Sequence, residues 1–228
     1  MIKEAWNTEF HLDAPAGKVL KKLADFIGDI PAEIGLFGSS PLQICVDPDL
    51  LSGDVDAFSD ETRLDEWVKG AGLADESKRP YIQVCSELNF RTSPRWRQRT
   101  QSLQLGNCAF VLPHPIDILI AKLNRLEEKD LEAFRVVIAK TGHPTEEEMI
   151  SELQFAVDLF RPGFDEENAV DMSGNCRRLW PEIFGREIDP RAEIIAPALE
   201  IRRRGCELDE PKRDYKAELK EELARYET

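Results

Sequence analysis

The chain has 228 residues, 42% of them apolar and 8% aromatic, enough for one large or two small packed domains and too apolar for a disordered chain. A formal net charge of −14 speaks against a broad, non-specific nucleic-acid surface while leaving room for a local basic groove. No apolar run approaches the ~20 residues of a membrane span, residues 1–6 lack the apolar stretch of a secretory leader, and five scattered cysteines read as reduced thiols of a cytoplasmic protein.

In chain order, residues 15–29 place Val19, Leu20, Leu23, Phe26 and Ile27 on one stripe and read as a helix capped by Asp13 and closed by Gly28 and Pro31. A strand at 33–37 is followed by a short helical turn near 40–45, a loop rich in Asp and Pro, and a second strand at 53–59. Asp60 or Thr62 caps a helix to about residue 70 that buries Leu64, Trp67 and Val68. Residues 81–90 alternate as a third strand, with Ile82, Val84 and Leu88 on one face and Gln83, Cys85 and Glu87 on the other. Residues 100–112 form a hairpin turning on Gly106 and Asn107.

From Pro115 onward the pattern is helical. Segments 115–126 and 128–140 come first, the latter closed by Gly142. A Thr145/Glu148 capping box opens a helix to about residue 160. Residues 165–184 are helical with breaks at Gly174 and Pro181, and 190–204 are stopped by Gly205. The last segment, 211–227, carries only Tyr215, Leu219, Leu223 and Tyr226 on an apolar stripe. Strands in the first half and helices in the second predict an α+β fold: a small mixed sheet flanked by helices in 1–113, with a helical region, 114–228, packing on it.

Three clusters carry candidate chemistry. The first apolar run, residues 34–37, ends in Gly38-Ser39, a small polar turn whose backbone N–H groups are free for a phosphate. Asp54 and Asp56 lie two apart on the next strand and therefore project together, with Val55 and Ala57 facing the core. Two carboxylates that close repel unless a cation sits between them, and Mg²⁺ suits such hard oxygen ligands. The other reading is a turn and two solvated aspartates. Glu87, if it shares that face, is a candidate third carboxylate or base, or else a solvated glutamate. Arg91, Arg95, Arg97 and Arg99 surround Trp96, a grouping suited to phosphate contact and base stacking, or to balancing an acidic protein.

Lys122-Leu123 in one helix and Lys129-Asp130 at the head of the next complete a four-part pattern with Gly38-Ser39 and Asp54/Asp56. In this order the four parts resemble the nucleotidyltransferase superfamily related to DNA polymerase beta. Within it they resemble the branch of toxins from type IV toxin–antitoxin and abortive-infection systems, over roughly residues 30–140. The resemblance implies that Gly38, Ser39 and Lys122 hold the nucleotide phosphates, with Arg95 as a further contact, and that Asp54 and Asp56 bind Mg²⁺. It gives Asp130 the part of an acidic partner that aids proton removal from the acceptor. The implied activity is transfer of a nucleoside monophosphate from a nucleoside triphosphate (NTP) to a transfer RNA, a protein hydroxyl or a small molecule. Two departures stand out: a longer segment between Ser39 and Asp54, and Ala133 where the family often has a second acid. The missing second acid, the absence of a clear third strand carboxylate and the charged C-terminal helix with its thin apolar stripe favour the other reading, a catalytically inactive nucleotidyltransferase-like module that docks on a partner protein or a second copy through that helix.

Overall fold

Pro15 stands at the first turn of helix α1 (Pro15–Ile27), where its fixed φ and missing N–H do no harm. The helix buries Ala16, Val19, Leu20, Leu23, Ala24 and Ile27 along one stripe. The expected cap is corrected: Ala14, not Asp13, is the N-cap. The Ala16 N–H is met instead by the buried Gln43 Oε1 at 2.8 Å, and Asp13 stays at the surface, 3.4 Å from Lys21. Phe26, expected in the stripe, is 49% exposed. The structure, a computed structural model, describes residues 9–50, 52–161 and 171–209.

The other elements are β1 (Ala32–Phe37), α2 (Ser40–Cys45), β2 (Asp54–Phe58), α3 (Leu64–Gly70), β3 (Tyr81–Val84), β4 (Gln101–Leu105) and β5 (Cys108–Leu112). They are followed by α4 (Pro115–Leu123), α5 (Glu128–Thr141), α6 (Glu146–Phe155), α7 (Met172–Phe184) and α8 (Ala196–Asp209). The fold is α+β. A five-stranded mixed sheet, ordered β3-β2-β1-β5-β4, is flanked by helices. Strand β1 pairs antiparallel with β2, placing Phe37 opposite Asp56, and parallel with β5. Strand β3 runs parallel to β2 at one edge, and β4 closes the hairpin with β5 at the other.

Gly35 is required within β1 because the Phe58 ring covers it; a Cβ there would lie 2.1 Å from that ring. Gly106, at φ +59, makes the expected tight turn between β4 and β5. Alternate residues of β5, namely Cys108, Phe110 and Leu112, are fully buried and join Ile34 and Leu36 in the core. Pro115 opens α4 as expected, and the Ile116 N–H donates to His114 Nδ1 at 3.2 Å. Helix α4 packs against α2, α5 and α7, joining the sheet to the helical half. Thr145 and Glu148 form the expected capping box, with bonds of 3.3 and 2.8 Å.

Several expected boundaries are corrected. The third strand ends at Val84; Glu87–Asn89 is a separate 3₁₀ turn, and Val84 and Leu88 are 39% and 86% exposed. Neither Asp60 nor Thr62 caps α3, which follows Arg63 without a side-chain cap. Helix α7 runs through both Gly174 and Pro181, and α8 runs through Gly205. A short π-helical stretch, Arg191–Ile195, leads into α8. The helix expected at 211–227, with its docking role, lies outside the described residues. Among the described residues no helix is long and apolar enough to cross a membrane.

Candidate functional site

Where β1 ends, the chain turns at Gly38 with φ +73, a conformation that glycine adopts without strain. A second reason excludes a side chain there: a Cβ on Gly38 would lie 2.1 Å from Asp56 Oδ2. The turn backbone therefore sits directly beside a carboxylate of the neighbouring strand. On β2, Val55 and Ala57 are fully buried, while Asp54 and Asp56 are half-buried and open into a cleft of about 590 Å³. Burial first, and then the charge of Asp54, push the Asp56 carboxyl above the usual carboxylate range. Cys85 donates its thiol to Asp56 Oδ1 at 3.7 Å, and burial followed by the Asp56 charge pushes that thiol up to about 11.

The opposite wall comes from α4 and α5. Lys122 is buried at 6% exposure, and its Nζ donates to Ser39 Oγ at 2.7 Å and to Asp130 Oδ1 at 3.0 Å. Desolvation lowers the Lys122 pKa, and Asp130 opposes that shift. Asp130 is fully buried. Besides Lys122 it accepts Arg125 Nε, Arg125 Nη2 and the Glu127 backbone N–H, each at 3.0 Å. Burial alone would raise the Asp130 carboxyl, but these donors outweigh it and hold the group below its usual range. As the third residue of α5 it also completes a reciprocal capping box with Glu127. A carboxylate so enclosed has no face left for an acceptor hydroxyl, so Asp130 orients cations rather than receiving a proton from substrate.

The structure thus brings Gly38, Ser39, Asp54, Asp56 and Lys122 to one cleft, with Asp130 behind the wall. Arg95 is placed elsewhere. Its guanidinium pairs with Glu152 and lies 3.3 Å over the Phe155 ring, away from the cleft lining. Of the other three arginines, Arg99 is internal to the fold while Arg91 and Arg97 are exposed. Arg99 bridges Asp117, through a 3.1 Å bond, and Glu152, at 2.8 Å. Arg97 pairs with Glu87 at 2.6 Å. Trp96 is 8% exposed and packs edge-on against Phe90, with ring centroids 5.3 Å apart, so it offers no stacking platform. Of the four arginines only Arg91 lines the cleft.

Glu87 does not join the aspartates. It follows the end of β3 and is held by Arg97, whereas Gln83 and Cys85 of its expected face do reach the cleft. Ala133, at the position of the absent second acid, is 3% exposed inside α5. The long segment before Asp54 is tied down by Asp47, which accepts the Asp49 N–H at 3.0 Å and meets Lys140 at 3.2 Å. Arg125 went unnoticed in the sequence, although Arg125 and Asp130 stand five apart across a helix junction; only the turn between α4 and α5 folds them together.

Among the described residues no group of three or more His, Cys, Asp or Glu is placed to hold a metal. The carboxylate pair nevertheless fits Mg²⁺, which takes one or two carboxylates and completes its shell with waters and substrate phosphates. Burial first, and then the Asp54 charge, raise the Asp56 carboxyl, and a cation held by the pair would offset the second of these. Comparisons with protein-family models, with curated proteins and with solved structures return no match. Function is therefore read from the cleft itself.

Proposed function

We propose that the cleft binds an NTP with Mg²⁺ and transfers its nucleoside monophosphate to an acceptor hydroxyl, as the resemblance to nucleotidyltransferases implies. The observation that carries this reading is the pairing of opposed charges across one cleft. Asp54 and Asp56 stand on one wall, and Lys122, bonded to Ser39 from 83 residues away, stands on the other. A metal–polyphosphate complex is positive at its ion and negative at its phosphates, so it suits two such walls.

Asp54 and Asp56 are the residues that would hold Mg²⁺, which when bound neutralises phosphate charge and favours ionisation of a hydroxyl. Gly38, without a Cβ, lets the Asp56 carboxylate stand against the strand end, and Ser39 offers its hydroxyl to a phosphate in the same region. Lys122 compensates charge that builds on the leaving pyrophosphate. In the reaction the acceptor oxygen forms a bond to the α-phosphorus. The bond from that phosphorus to the bridging oxygen breaks, and pyrophosphate departs with the electron pair. The acceptor proton passes to water in the cleft.

The test is thermal unfolding with each ribonucleoside triphosphate, with and without Mg²⁺, on the native chain and on Asp56→Asn. Ligand present at 100 times its Kd stabilises the folded state by about 2.7 kcal/mol. A Mg²⁺-dependent rise for the native chain that disappears in the variant supports the reading; no rise with any nucleotide refutes it. A second reading, nucleotide binding without transfer, is favoured by the engagement of Glu87 with Arg97, which leaves the aspartate pair without a third acid among the described residues. Pyrophosphate release in the presence of acceptor distinguishes the two.

A further inference from the structure

We infer that Arg125 and Lys122 form a two-pronged anion clamp for the polyphosphate of the ligand, and that Asp130 is the positioning residue that aims both prongs. This deepens the reading above, on which it rests for the natural ligand's identity, and it assigns a cation that the four-part sequence pattern did not include.

The geometry begins at the junction of α4 and α5. Leu126 has φ +47, a left-handed conformation that is unusual for a bulky residue, and its side chain is 1% exposed. Its N–H is bonded to the Lys122 carbonyl at 2.8 Å, which closes the end of α4. This corner reverses the chain so that Arg125, at the end of one helix, faces Asp130, in the first turn of the next. Two parallel bonds of 3.0 Å, from Nε and Nη2, then hold the guanidinium in the plane of the Asp130 carboxylate. Lys122 reaches the same carboxylate from the other side.

Arg125 also meets the half-exposed Glu127 at 3.3 Å, so three cations, Lys122, Arg125 and Lys129, face two acids, Asp130 and Glu127, and one positive charge is left over on the wall that faces Asp54 and Asp56. Arg125 presents it. Its side chain is 51% exposed and lines the cleft, and among the described residues its Nη1 makes no hydrogen bond. The bonds it donates to Asp130 raise the Arg125 pKa, so the guanidinium stays charged. A planar donor edge fixed from behind matches phosphate oxygens in a way that a free surface arginine does not. Lys129, also on the cleft lining, is drawn to Glu127 at 3.1 Å and is the weaker contact.

The experiment uses inorganic tripolyphosphate as the probe, titrated calorimetrically into the full chain without divalent ions. Arg125→Gln is expected to weaken tripolyphosphate tenfold or more at a temperature where the variant is folded, and to lower the thermal midpoint of the unliganded protein because it takes two bonds from the buried Asp130. Arg125→Lys, which keeps the charge but loses the fork, is expected to recover part of that loss. Asp130→Asn acts through the same prongs, so combining it with Arg125→Gln is expected to weaken the probe by less than the product of the two single fold-changes, and a fully multiplicative loss overturns the positioning role. If Asp130→Asn does not fold, the Arg125 pair carries the test alone.

Equal affinity in Arg125→Gln, or no binding of tripolyphosphate by the native chain, overturns the clamp. A Mg²⁺-dependent nucleotide response that is lost in Asp56→Asn yet untouched by Arg125→Gln overturns the clamp and leaves the nucleotide reading intact. Arg125-dependent tripolyphosphate binding with no response to any NTP supports the clamp and refutes the nucleotide reading.

Discussion

Replacing Gly38 by alanine, beside the same change at Gly142, separates backbone strain from damage to the cleft. Both glycines have φ +73. An alanine held there costs about 1–2 kcal/mol, from the close approach of Cβ to the backbone in the left-handed region. For a chain of this size 1 kcal/mol moves the thermal midpoint by about 2–4 °C, so each variant should lose about 2–8 °C. At Gly142 nothing lies within 4 Å of the added Cβ, and the effect ends there. At Gly38 the Cβ would stand 2.1 Å from Asp56 Oδ2 and 3.2 Å from its Cγ. The carboxylate is the end of a short side chain and must rotate away, which breaks its alignment with Asp54 and its bond from Cys85. The assay is differential scanning fluorimetry with NTP and Mg²⁺. Without ligand Gly38→Ala should be destabilised at least as much as Gly142→Ala, and only Gly38→Ala should lose the Mg²⁺-dependent rise. A Gly38→Ala protein that keeps the full rise would refute the placement of the site.

Asp56→Asn removes a carboxylate that burial and Asp54 disfavour, so without ligand or divalent ions its thermal midpoint at neutral pH should equal or exceed that of the native chain. A fall of several degrees would contradict this. Asp130→Asn strips a buried partner from Lys122 and Arg125 and should cost about 3–5 kcal/mol in urea unfolding at pH 7. The Asp130 carboxyl is held below its ordinary 3.8, so its stabilisation is fully present above that value and is lost as the pH falls through the depressed one. The gap between native chain and Asp130→Asn should therefore narrow only below about pH 4, and a gap already closing near pH 6 would count against it. Arg95→Ala should keep the whole Mg²⁺-dependent nucleotide response, since Arg95 is tied to Glu152 away from the cleft; a lost response would return Arg95 to the site.

Features set by a few neighbouring residues were legible in the sequence. The Gly106-Asn107 hairpin, the Thr145/Glu148 capping box, the start of α4 at Pro115 and the α+β order all follow from dihedral preference and side-chain periodicity within a turn or two. So does the common face of Asp54 and Asp56, because strand alternation needs no knowledge of the partner strand. The same local rules failed where a distant partner decided the outcome. The alternation of 81–90 continues to Leu88, but β3 is an edge strand that pairs only with β2, and its last bond to that strand is from the Cys85 N–H to the Ala57 carbonyl at 2.8 Å, just before β2 itself ends at Phe58. Asp13 stands where a cap would, yet Gln43 reaches the helix end first. Gly205 interrupts no helix, since glycine ends one only where the chain also turns left-handed. Arg95 and Arg99 looked free because their acids, Glu152 and Asp117, lie 18 to 57 residues on. The cleft's cationic wall belongs to this second class. Lys122 meets Ser39, 83 residues away, only because α4 packs against α2 and α5, and the turn between α4 and α5 brings Arg125 and Asp130 to the same place. Which charges meet across such a distance depends on desolvation and the geometry of the whole fold, and only the tertiary structure decides that.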